Sequence, residues 1–290
     1  MSSVLTGITS KNRKELLRKA IQSGLEQANV INKVAVFDDN SSDGTGELAG
    51  VYPQVDWHLS KEEKGYLYAR NLFLQTTEAD YYCSLDDDSW FLKQDALQKA
   101  VTYMDEHPVT GALAFRILTP ESPASELAEQ PEETVKATNN FIGCGHLLRV
   151  DAVRKVGRYT PNPGFYGGEE KDLCIRLMDA GYSIGYFPGV TIWHEKTAVA
   201  RNQQKQHRSG VCNDLVFAFR RVPGWMLLPV LLYKFFSHFR FSLFSRQTPL
   251  LAPCLQGFGD FLHFLVKGSL QRRAVKYTTY RKFLAFNKTA

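Results

Sequence analysis

Cysteines are few and scattered in this chain. The five of them include no CxxC pair, and their number is odd: Cys83, Cys144, Cys174, Cys212 and Cys254. Paired cysteines hold structural zinc, and disulfide frameworks use even sets. The sequence therefore argues against a zinc-stabilised fold and against a disulfide framework, and it predicts reduced thiols in a reducing compartment.

Long hydrophobic runs are also missing. The longest strongly apolar run, Val222–Tyr233, has 12 residues and contains two prolines, whereas roughly 20 apolar residues are needed to cross a bilayer. The first residues, Met1–Gly7, carry neither the basic nor the apolar region of a secretory signal. With 21 glycines and 12 prolines in 290 residues, the composition is that of an ordinary globular protein. We expect a cytoplasmic protein.

Acidic residues are almost absent after residue 200. Residues 201–290 hold 15 Lys and Arg but only 2 Asp and Glu, whereas residues 1–200 hold 20 and 28. This polarity predicts a catalytic domain over residues 1–200 and a helical C-terminal region over residues 201–290. Basic residues interleaved with Phe and Leu are typical of helices on an anionic membrane surface. Packing on the core or a homo-oligomer interface is the alternative, at about even weight.

Short apolar strands alternate with helical patterns between residues 4 and 194. Val4–Ile8, Lys33–Phe37 and Tyr81–Leu85 have the pattern of buried strands, and helical spacing of apolar residues follows the first of them. This rhythm predicts an α/β fold with a mostly parallel sheet covered by helices. Residues 118–136, polar and with three prolines, predict a long loop.

Clusters of acidic side chains follow two of these strands. Asp38-Asp39 come directly after the strand Lys33–Phe37, and Asp86-Asp87-Asp88 come directly after the strand Tyr81–Leu85. Parallel strands bring both clusters to one edge, where open α/β sheets bind ligands. Three adjacent carboxylates repel one another unless water or a cation compensates them, and a divalent metal with a bound diphosphate would do so. Carboxylates also suit a nucleobase or ribose, whereas a solvated acidic turn is the simpler alternative for either cluster alone.

Three further features could belong to such a site. Arg70 opens a helix between the two clusters, where it could contact a nucleotide or form an ordinary surface salt bridge. Glu169 and Glu170 follow two glycines at a helix start and could cap that helix, or one of them could deprotonate an attacking hydroxyl. His194, after the last predicted strand, could bind a metal or merely form hydrogen bonds.

Together these motifs resemble the glycosyltransferase family 2 enzymes of the GT-A fold, including rhamnosyltransferase-like members, over roughly residues 3–200. The matching segments, in the family's order, are Thr9-Ser10-Lys11-Asn12-Arg13, Asp38 to Thr45, Lys64-Gly65 with Ala69-Arg70-Asn71, Leu85-Asp86-Asp87-Asp88, and Gly168-Glu169-Glu170-Lys171-Asp172-Leu173. No single segment is decisive, but the ordered set at family-like spacing is specific.

The resemblance implies a role for each matching residue. The implied roles are nucleotide binding for Thr9, Asp38, Asp39, Arg70, Asp86 and Asp87, metal binding for Asp88 of the DXD motif and for His194, and catalytic base for Glu170. The family usually has an aspartate where this chain has Glu170. Glu169 and Asp172 therefore remain secondary candidates for the base.

The resemblance also implies a reaction. It is the metal-dependent, inverting transfer of a sugar from a UDP-sugar or dTDP-rhamnose to a hydroxyl of a glycan or lipid-linked acceptor, with Mn²⁺ or Mg²⁺ as cofactor. The basic tail resembles those of members that act on lipid-linked acceptors, so a peripheral position on the inner face of the cell membrane and a role in polysaccharide biosynthesis are expected. Nucleic acid is not an expected partner.

Two other functions are alternatives. A nucleotidyltransferase would need a glycine-rich phosphate loop after the first strand, and no glycine lies between Gly7 and Gly24. A non-catalytic nucleotide-sugar-binding protein, recruiting a partner through its basic tail, would share the binding residues without the reaction.

Overall fold

The computed structural model describes residues 2–128, 132–164, 166–196, 202–245 and 249–286. The chain divides into two compact units. Unit 1 comprises residues 1–159 with 180–197, and unit 2 comprises residues 160–179 with 198–290. This division differs from the boundary expected at residue 200, since residues 160–179 belong to unit 2, where Asp172 forms a buried ion pair with Arg221.

Unit 1 is built on one mixed sheet. The strands of its described residues are β1 (Ser3–Ser10), β2 (Ile31–Asp38), β3 (Asp56–Leu59), β4 (Tyr81–Asp86), β5 (Ser89–Phe91), β6 (Thr110–Leu118), β7 (Lys136–Thr138), β8 (His146–Arg149) and β9 (Ser183–His194). The strand order is β3-β2-β1-β4-β8-β6-β9-β5, and β7 pairs with β9.

Helices connect these strands. In unit 1 they are α1 (Lys14–Leu25), α2 (Leu48–Val51), α3 (Tyr66–Thr76), α4 (Ala96–Glu106), α5 (Ala124–Ala128) and α6 (Val150–Val156). Helix α1 shows why such segments fold as they do: Leu17, Ala20 and Ile21 recur at helical spacing and are fully buried. They join a core made with Val4, Ile8 and other apolar side chains of the sheet.

The expected parallel arrangement holds for one half of the sheet. Strands β3, β2, β1 and β4 run parallel to one another. In the other half, β8 runs antiparallel to β4 and β6, while β5 and β7 run antiparallel to β9. Residues 118–136, predicted to be a loop, include α5, and residues 129–131 lie outside the described residues.

Unit 2 is helical. Its described helices are α7 (Glu169–Asp179), α8 (Gln203–Arg221), α9 (Leu227–Phe244), α10 (Leu251–Val266) and α11 (Tyr277–Phe286). A small core joins α8 to α10 through Cys212, Leu215, Cys254 and Phe261. Of the helices in the described residues, none combines the length and the hydropathy needed to cross a bilayer.

Candidate functional site

The carboxyl ends of β1, β2 and β4 bring three of the predicted residues, Thr9, Asp38 and Asp86, next to one another. In the parallel register Ser10 lies opposite Asp38, and Thr9 lies opposite both Phe37 and Asp86. Thr9, Ser10 and Asp38 are buried. The sheet therefore places polar side chains from three neighbouring strands at the edge where ligands of open α/β sheets bind.

Asp39 connects this edge to the loop before α3. Its carboxylate accepts hydrogen bonds from the backbone N–H groups of Lys64 (2.6 Å) and Gly65 (2.9 Å). Gly65 has a positive φ of 83°, which suits glycine, and it precedes the first residue of α3. Asp38 in turn accepts from the N–H of Ser41 at 3.1 Å. The two acids thus shape the loops that surround them.

Helix α3 places a positively charged side chain, Arg70, at the same edge of the sheet. Arg70 is 2% exposed, and its Nη2 lies 2.8 Å from Asp86 Oδ1 and 3.0 Å from the carbonyl oxygen of Gly143. The guanidinium also lies over the ring of Tyr66, 4.9 Å from its centroid. A buried, multiply bonded arginine is not the ordinary surface salt bridge that was the alternative for Arg70.

Asp87 is buried and accepts several hydrogen bonds. It accepts hydrogen bonds from Ser10 Oγ (3.0 Å), the N–H of Lys11 (3.2 Å) and Arg13 Nη1 (2.9 Å). Burial raises the pKa of Asp87 to about 6; Arg13 opposes this shift, and the neighbouring Asp88 and Asp86 add to it. Asp87 is therefore held firmly in place, with its charge balanced by Arg13.

Asp88 has two partners of different chemistry. Its Oδ2 lies 3.1 Å from Arg13 Nη1, and its Oδ1 lies 3.3 Å from His194 Nε2. His194 ends β9 and is opposite Ser89 of β5, so strand pairing brings the two side chains together. One carboxylate oxygen from the turn before β5 and one imidazole nitrogen from the end of β9 form a donor pair that suits Mn²⁺.

Among the described residues, no three His, Cys, Asp or Glu side chains group together as a cation site. The pair Asp88 and His194 nevertheless fits the chemistry expected of a metal that also binds substrate phosphates, because such ions commonly take only one or two protein carboxylates.

Arg13 is a site residue that the sequence did not single out. It immediately precedes α1 and bridges Asp87 and Asp88. Burial alone would lower the pKa of Arg13, but the attraction of the two carboxylates outweighs it and raises that pKa. The only sequence signal was its position in the segment Thr9 to Arg13, directly after the first strand, at the edge where the acids were expected.

The three candidates for the catalytic base lie in unit 2, at the start of α7. Gly167 and Gly168, with φ of 87° and 93°, lead the chain into this helix. Glu169 is buried and Glu170 is half-buried. Acidic side chains in the first turn are favoured by the helix dipole, so this placement has a structural reason of its own.

Asp172 is held by two arginines. Its Oδ2 lies 2.8 Å from Arg176 Nε and 3.0 Å from Arg221 Nη2, and its Oδ1 lies 2.6 Å from Arg221 Nε. Burial alone would raise the pKa of Asp172, but Arg176 and Arg221 outweigh it and hold that pKa below its ordinary value. Both oxygens of this carboxylate thus serve an ion pair inside unit 2.

The sequence matches two family models over long segments. The model described as Glycosyl transferase family 2 matches residues 6–156, and the model described as Glycosyl transferase family group 2 matches residues 83–267. The chain belongs to glycosyltransferase family 2. It is accordingly a glycosyltransferase, and this membership favours sugar transfer over the nucleotidyltransferase alternative.

A curated relative is named for teichuronic acid biosynthesis. The chain is 28% identical over 191 residues to the putative teichuronic acid biosynthesis glycosyltransferase TuaG of Bacillus subtilis. The matched segment covers 62% of this chain and 73% of the relative. A second relative, the glycosyltransferase GlyA of Streptococcus pneumoniae, is 27% identical over 111 residues, 36% of this chain and 16% of the relative.

Solved structures of glycosyltransferases have the same fold. TarS residues 1–349 of S. aureus, in complex with UDP-GlcNAc, superimposes with a TM-score of 0.63 at 16% identity, over 90% of this chain and 81% of that one. The mannosyltransferase PcManGT of Pyrobaculum calidifontis, with GDP-Man and Mn²⁺, gives a TM-score of 0.60 at 16% identity, over 98% and 84%. The expected α/β GT-A fold is thereby confirmed.

The predicted site residues fall into two groups. Unit 1 brings together Thr9, Asp38, Asp39, Arg70, Asp86, Asp87, Asp88 and His194 around the ends of its strands. Glu169, Glu170 and Asp172 lie together in unit 2. The role of each residue stays a prediction.

Proposed function

We propose that this glycosyltransferase transfers a sugar from a nucleotide-diphosphate sugar to a hydroxyl of a glycan or lipid-linked acceptor. The observation that carries the proposal is that five acidic residues meet at one sheet edge. They are Asp38, Asp39, Asp86, Asp87 and Asp88, and the last three form ion pairs with Arg13 or Arg70. The UDP-GlcNAc bound to TarS and the teichuronic acid pathway of TuaG support a nucleotide-sugar donor and a polysaccharide product.

A UDP-sugar is the leading donor, with dTDP-rhamnose second. Uracil and thymine each offer an N3–H, which a carboxylate such as Asp39 accepts, and a carboxylate has about four lone-pair sites. Asp39 therefore has acceptor capacity beyond its two backbone hydrogen bonds. Asp87, with Asp86 beside it, would accept from the ribose hydroxyls.

Asp88 and His194 would hold Mn²⁺ or Mg²⁺. Such an ion, when bound, neutralises the negative charge that develops on the departing diphosphate. His194 contributes a neutral nitrogen, and Asp88 supplies the carboxylate charge. Arg13, which lies against Asp88, would keep this carboxylate oriented while the ion exchanges.

Glu170 is the base that we propose for the acceptor hydroxyl. Among the three acids at the start of α7, Asp172 is the least suited, because both its oxygens are bound by arginines. Glu169 is only 3% exposed, whereas Glu170 is half-buried. Deprotonation by Glu170 would allow the acceptor oxygen to attack in line and invert the anomeric centre.

The first experiment separates donor binding from turnover. Titration calorimetry with UDP, dTDP and GDP sugars in the presence of Mn²⁺ identifies the donor, and a product assay with glycan acceptors follows. We expect one uridine or thymidine donor to bind and to be consumed. Tight binding without turnover on any acceptor would instead favour a non-catalytic binder.

The metal assignment is tested with Asp88→Ala. We expect this variant to lose the thermal stabilisation that Mn²⁺ alone gives the wild type, because ligand binding stabilises only the native state. Its turnover should fall as well. Asp56→Ala, which removes an exposed carboxylate of β3 in the same unit, is the matched control. Wild-type turnover in Asp88→Ala would overturn the assignment.

A further inference from the structure

Helix α9 turns three polar side chains inward and a largely apolar surface outward. Lys234, His238 and Ser242 recur every fourth residue and therefore share one side of the helix. They are buried or half-buried, as are the apolar Leu231 and Phe235 beside them, whereas most of the exposed side chains of α9 are apolar. A surface helix of a soluble protein normally exposes polar and charged residues instead.

The inner stripe is fixed to α8 by specific contacts. Lys234 Nζ lies 2.5 Å and His238 Nε2 lies 3.2 Å from Asp214 Oδ2, and Ser242 Oγ lies 2.7 Å from His207 Nε2. Asp214 also lies 3.0 Å from Lys171 of α7. Because these contacts extend over two turns, they set the rotation of α9 about its own axis. The outward direction of the apolar side is thus a built feature of unit 2.

The outer stripe is large and almost uncharged. Its exposed members, together with Trp225 just before the helix, are Leu228, Leu232, Tyr233, Phe236, Phe241, Leu243 and Phe244, and the exposed fraction of each lies between 49% and 73%. Arg240 is the one charged residue among the exposed positions of α9. Contiguous exposed apolar surface of this kind marks a site for another apolar surface.

The charge around α9 favours one kind of partner. Residues 202–286 contain two acidic side chains, Asp214 and Asp260, and both are engaged, Asp260 by a bidentate pair with Arg208. Lys267, Arg273 and Lys276 are exposed in the same unit. A second copy of this chain would bring the same positive charge, whereas an anionic bilayer would be attracted to it.

A groove on the outer face offers a place for one lipid headgroup. It has a volume of about 410 Å³ and is lined by Ser237, Arg240, Phe241, Phe244 and Ser245. A guanidinium and two hydroxyl groups are suitable donors for a phosphate. The two phenylalanines provide apolar surface beside them.

We propose that α9 lies in the headgroup layer of an anionic bilayer, with its apolar stripe inserted and Arg240 on a lipid phosphate. This goes beyond the proposed reaction, because it assigns a surface and a partner that no part of the sugar transfer requires. The basic tail pointed to membrane binding in general, and the exposed apolar face of α9 identifies the element and the face.

The test compares two double variants of the full chain on vesicles. Leu232→Gln/Phe236→Gln removes apolar side chains from the outer stripe. Val51→Gln/Val109→Gln removes two other exposed apolar side chains, from unit 1, as the matched control. The vesicles contain phosphatidylcholine alone or phosphatidylcholine with phosphatidylglycerol.

Wild type and control should sediment with the anionic vesicles. The stripe variant should bind them more weakly, by roughly tenfold for each side chain replaced, because burying one large apolar side chain changes the binding free energy by about that factor. Arg240→Glu should lose the phosphatidylglycerol dependence, and high salt should weaken the wild type by screening exposed charges. Equal vesicle binding by both double variants would overturn the proposal. So would concentration-dependent dimerisation of the wild type that the stripe variant abolishes, without lipid binding.

A fluorescent label on α9 reports directly on the insertion of this helix into the bilayer. The native cysteines are all buried, so Phe236→Cys introduces one accessible thiol for an environment-sensitive dye. Its emission should shift to the blue on anionic vesicles, whereas the same dye on Val109→Cys should not respond. No shift at position 236 would contradict insertion of α9. Because each readout is binding and not turnover, failure here leaves the proposed function untouched.

Discussion

Arg13 holds two carboxylates of the acidic cluster at once. Asp86, Asp87 and Asp88 follow one another in sequence, yet the fold gives each its own cationic or imidazole neighbour: Arg70, Arg13 and His194. The repulsion that the sequence suggested is therefore reduced by the protein itself. A metal ion bound by Asp88 would add to a charge balance that already exists.

Replacing Arg13 should destabilise the protein more than replacing a neighbouring arginine. Arg13→Ala leaves Asp87 and Asp88 buried without their shared counter-charge, and we expect a loss of about 2 kcal/mol in the free energy of unfolding, below the range for fully buried pairs because Arg13 is partly exposed. Arg18→Ala, in the helix that follows Arg13, breaks an exposed pair with Glu15 and should cost about 0.5 kcal/mol or less. Urea unfolding measures both. Equal losses would contradict this account of the cluster.

The position of the acids at one sheet edge could be predicted because they stand in short motifs at strand ends. Asp39 and Asp87 are recognisable from sequence as acids at such ends. Their partners were harder to predict, because Lys64, Ser10 and Arg13 are brought to them by strand register and helix position. The arginines around Asp172 were not predicted, since Arg221 is 49 residues away in sequence.

At the scale of elements, strands and helices with clear periodicity were predicted well. Strands β1 and β2 contain the predicted segments Val4–Ile8 and Lys33–Phe37, and β4 extends the predicted strand Tyr81–Leu85 by one residue. Strand β5 was missed because it has three residues and follows directly on the acidic cluster. Strand β9 continues through Pro188-Gly189, where its pairing with β6 shifts register.

Helix α10 packs closely on α8 at Gly257. A Cβ at this position would collide with the carbonyl oxygen of Arg208, so Gly257→Ala should destabilise the protein by about 1–3 kcal/mol. Gly259 lies two residues further along the same helix, and a Cβ there meets no atom within 4 Å. Gly259→Ala should therefore stabilise by about 0.5–1 kcal/mol through helix propensity. Thermal or urea unfolding of the two variants measures both changes in stability. A change of the same sign in Gly257→Ala and Gly259→Ala would contradict the close packing at Gly257.

The link between α8 and α9 should depend on pH. Burial alone would raise the pKa of Asp214, but His238, Lys171 and Lys234 outweigh it and hold that pKa far below its ordinary value of 3.8. Such a depressed pKa contributes stability that is complete above pH 3.8 and is lost as the pH falls further below that value. Asp214→Asn should therefore be less stable than the wild type by about 3 kcal/mol at pH 7.

The difference between Asp214→Asn and the wild type should shrink when urea unfolding is repeated below pH 3.8. Asp260→Asn is the control, because its pair with Arg208 is more exposed and should contribute less than about 1 kcal/mol. A difference for Asp214→Asn that is the same at both pH values would show that the charge of Asp214 does not anchor α9.

At the scale of the molecule, the structure groups residues 160–179, which include the candidate base, with the basic C-terminal helices in unit 2. Sequence could not predict this, because α7 follows the rhythm of the α/β half. Its place is decided by tertiary contacts such as Asp172 with Arg221 and Lys171 with Asp214.

The central claim is that unit 1 binds the donor and that Glu170 of unit 2 activates the acceptor. It is tested most directly by measuring donor affinity and turnover on the same preparation of Glu170→Gln. Glu15→Gln, another glutamate in the first turn of a helix, is the matched control. The account predicts that Glu170→Gln binds the nucleotide-sugar like the wild type but loses turnover by about 10²–10⁴, the contribution of a general base. Turnover at the wild-type rate in Glu170→Gln would contradict it.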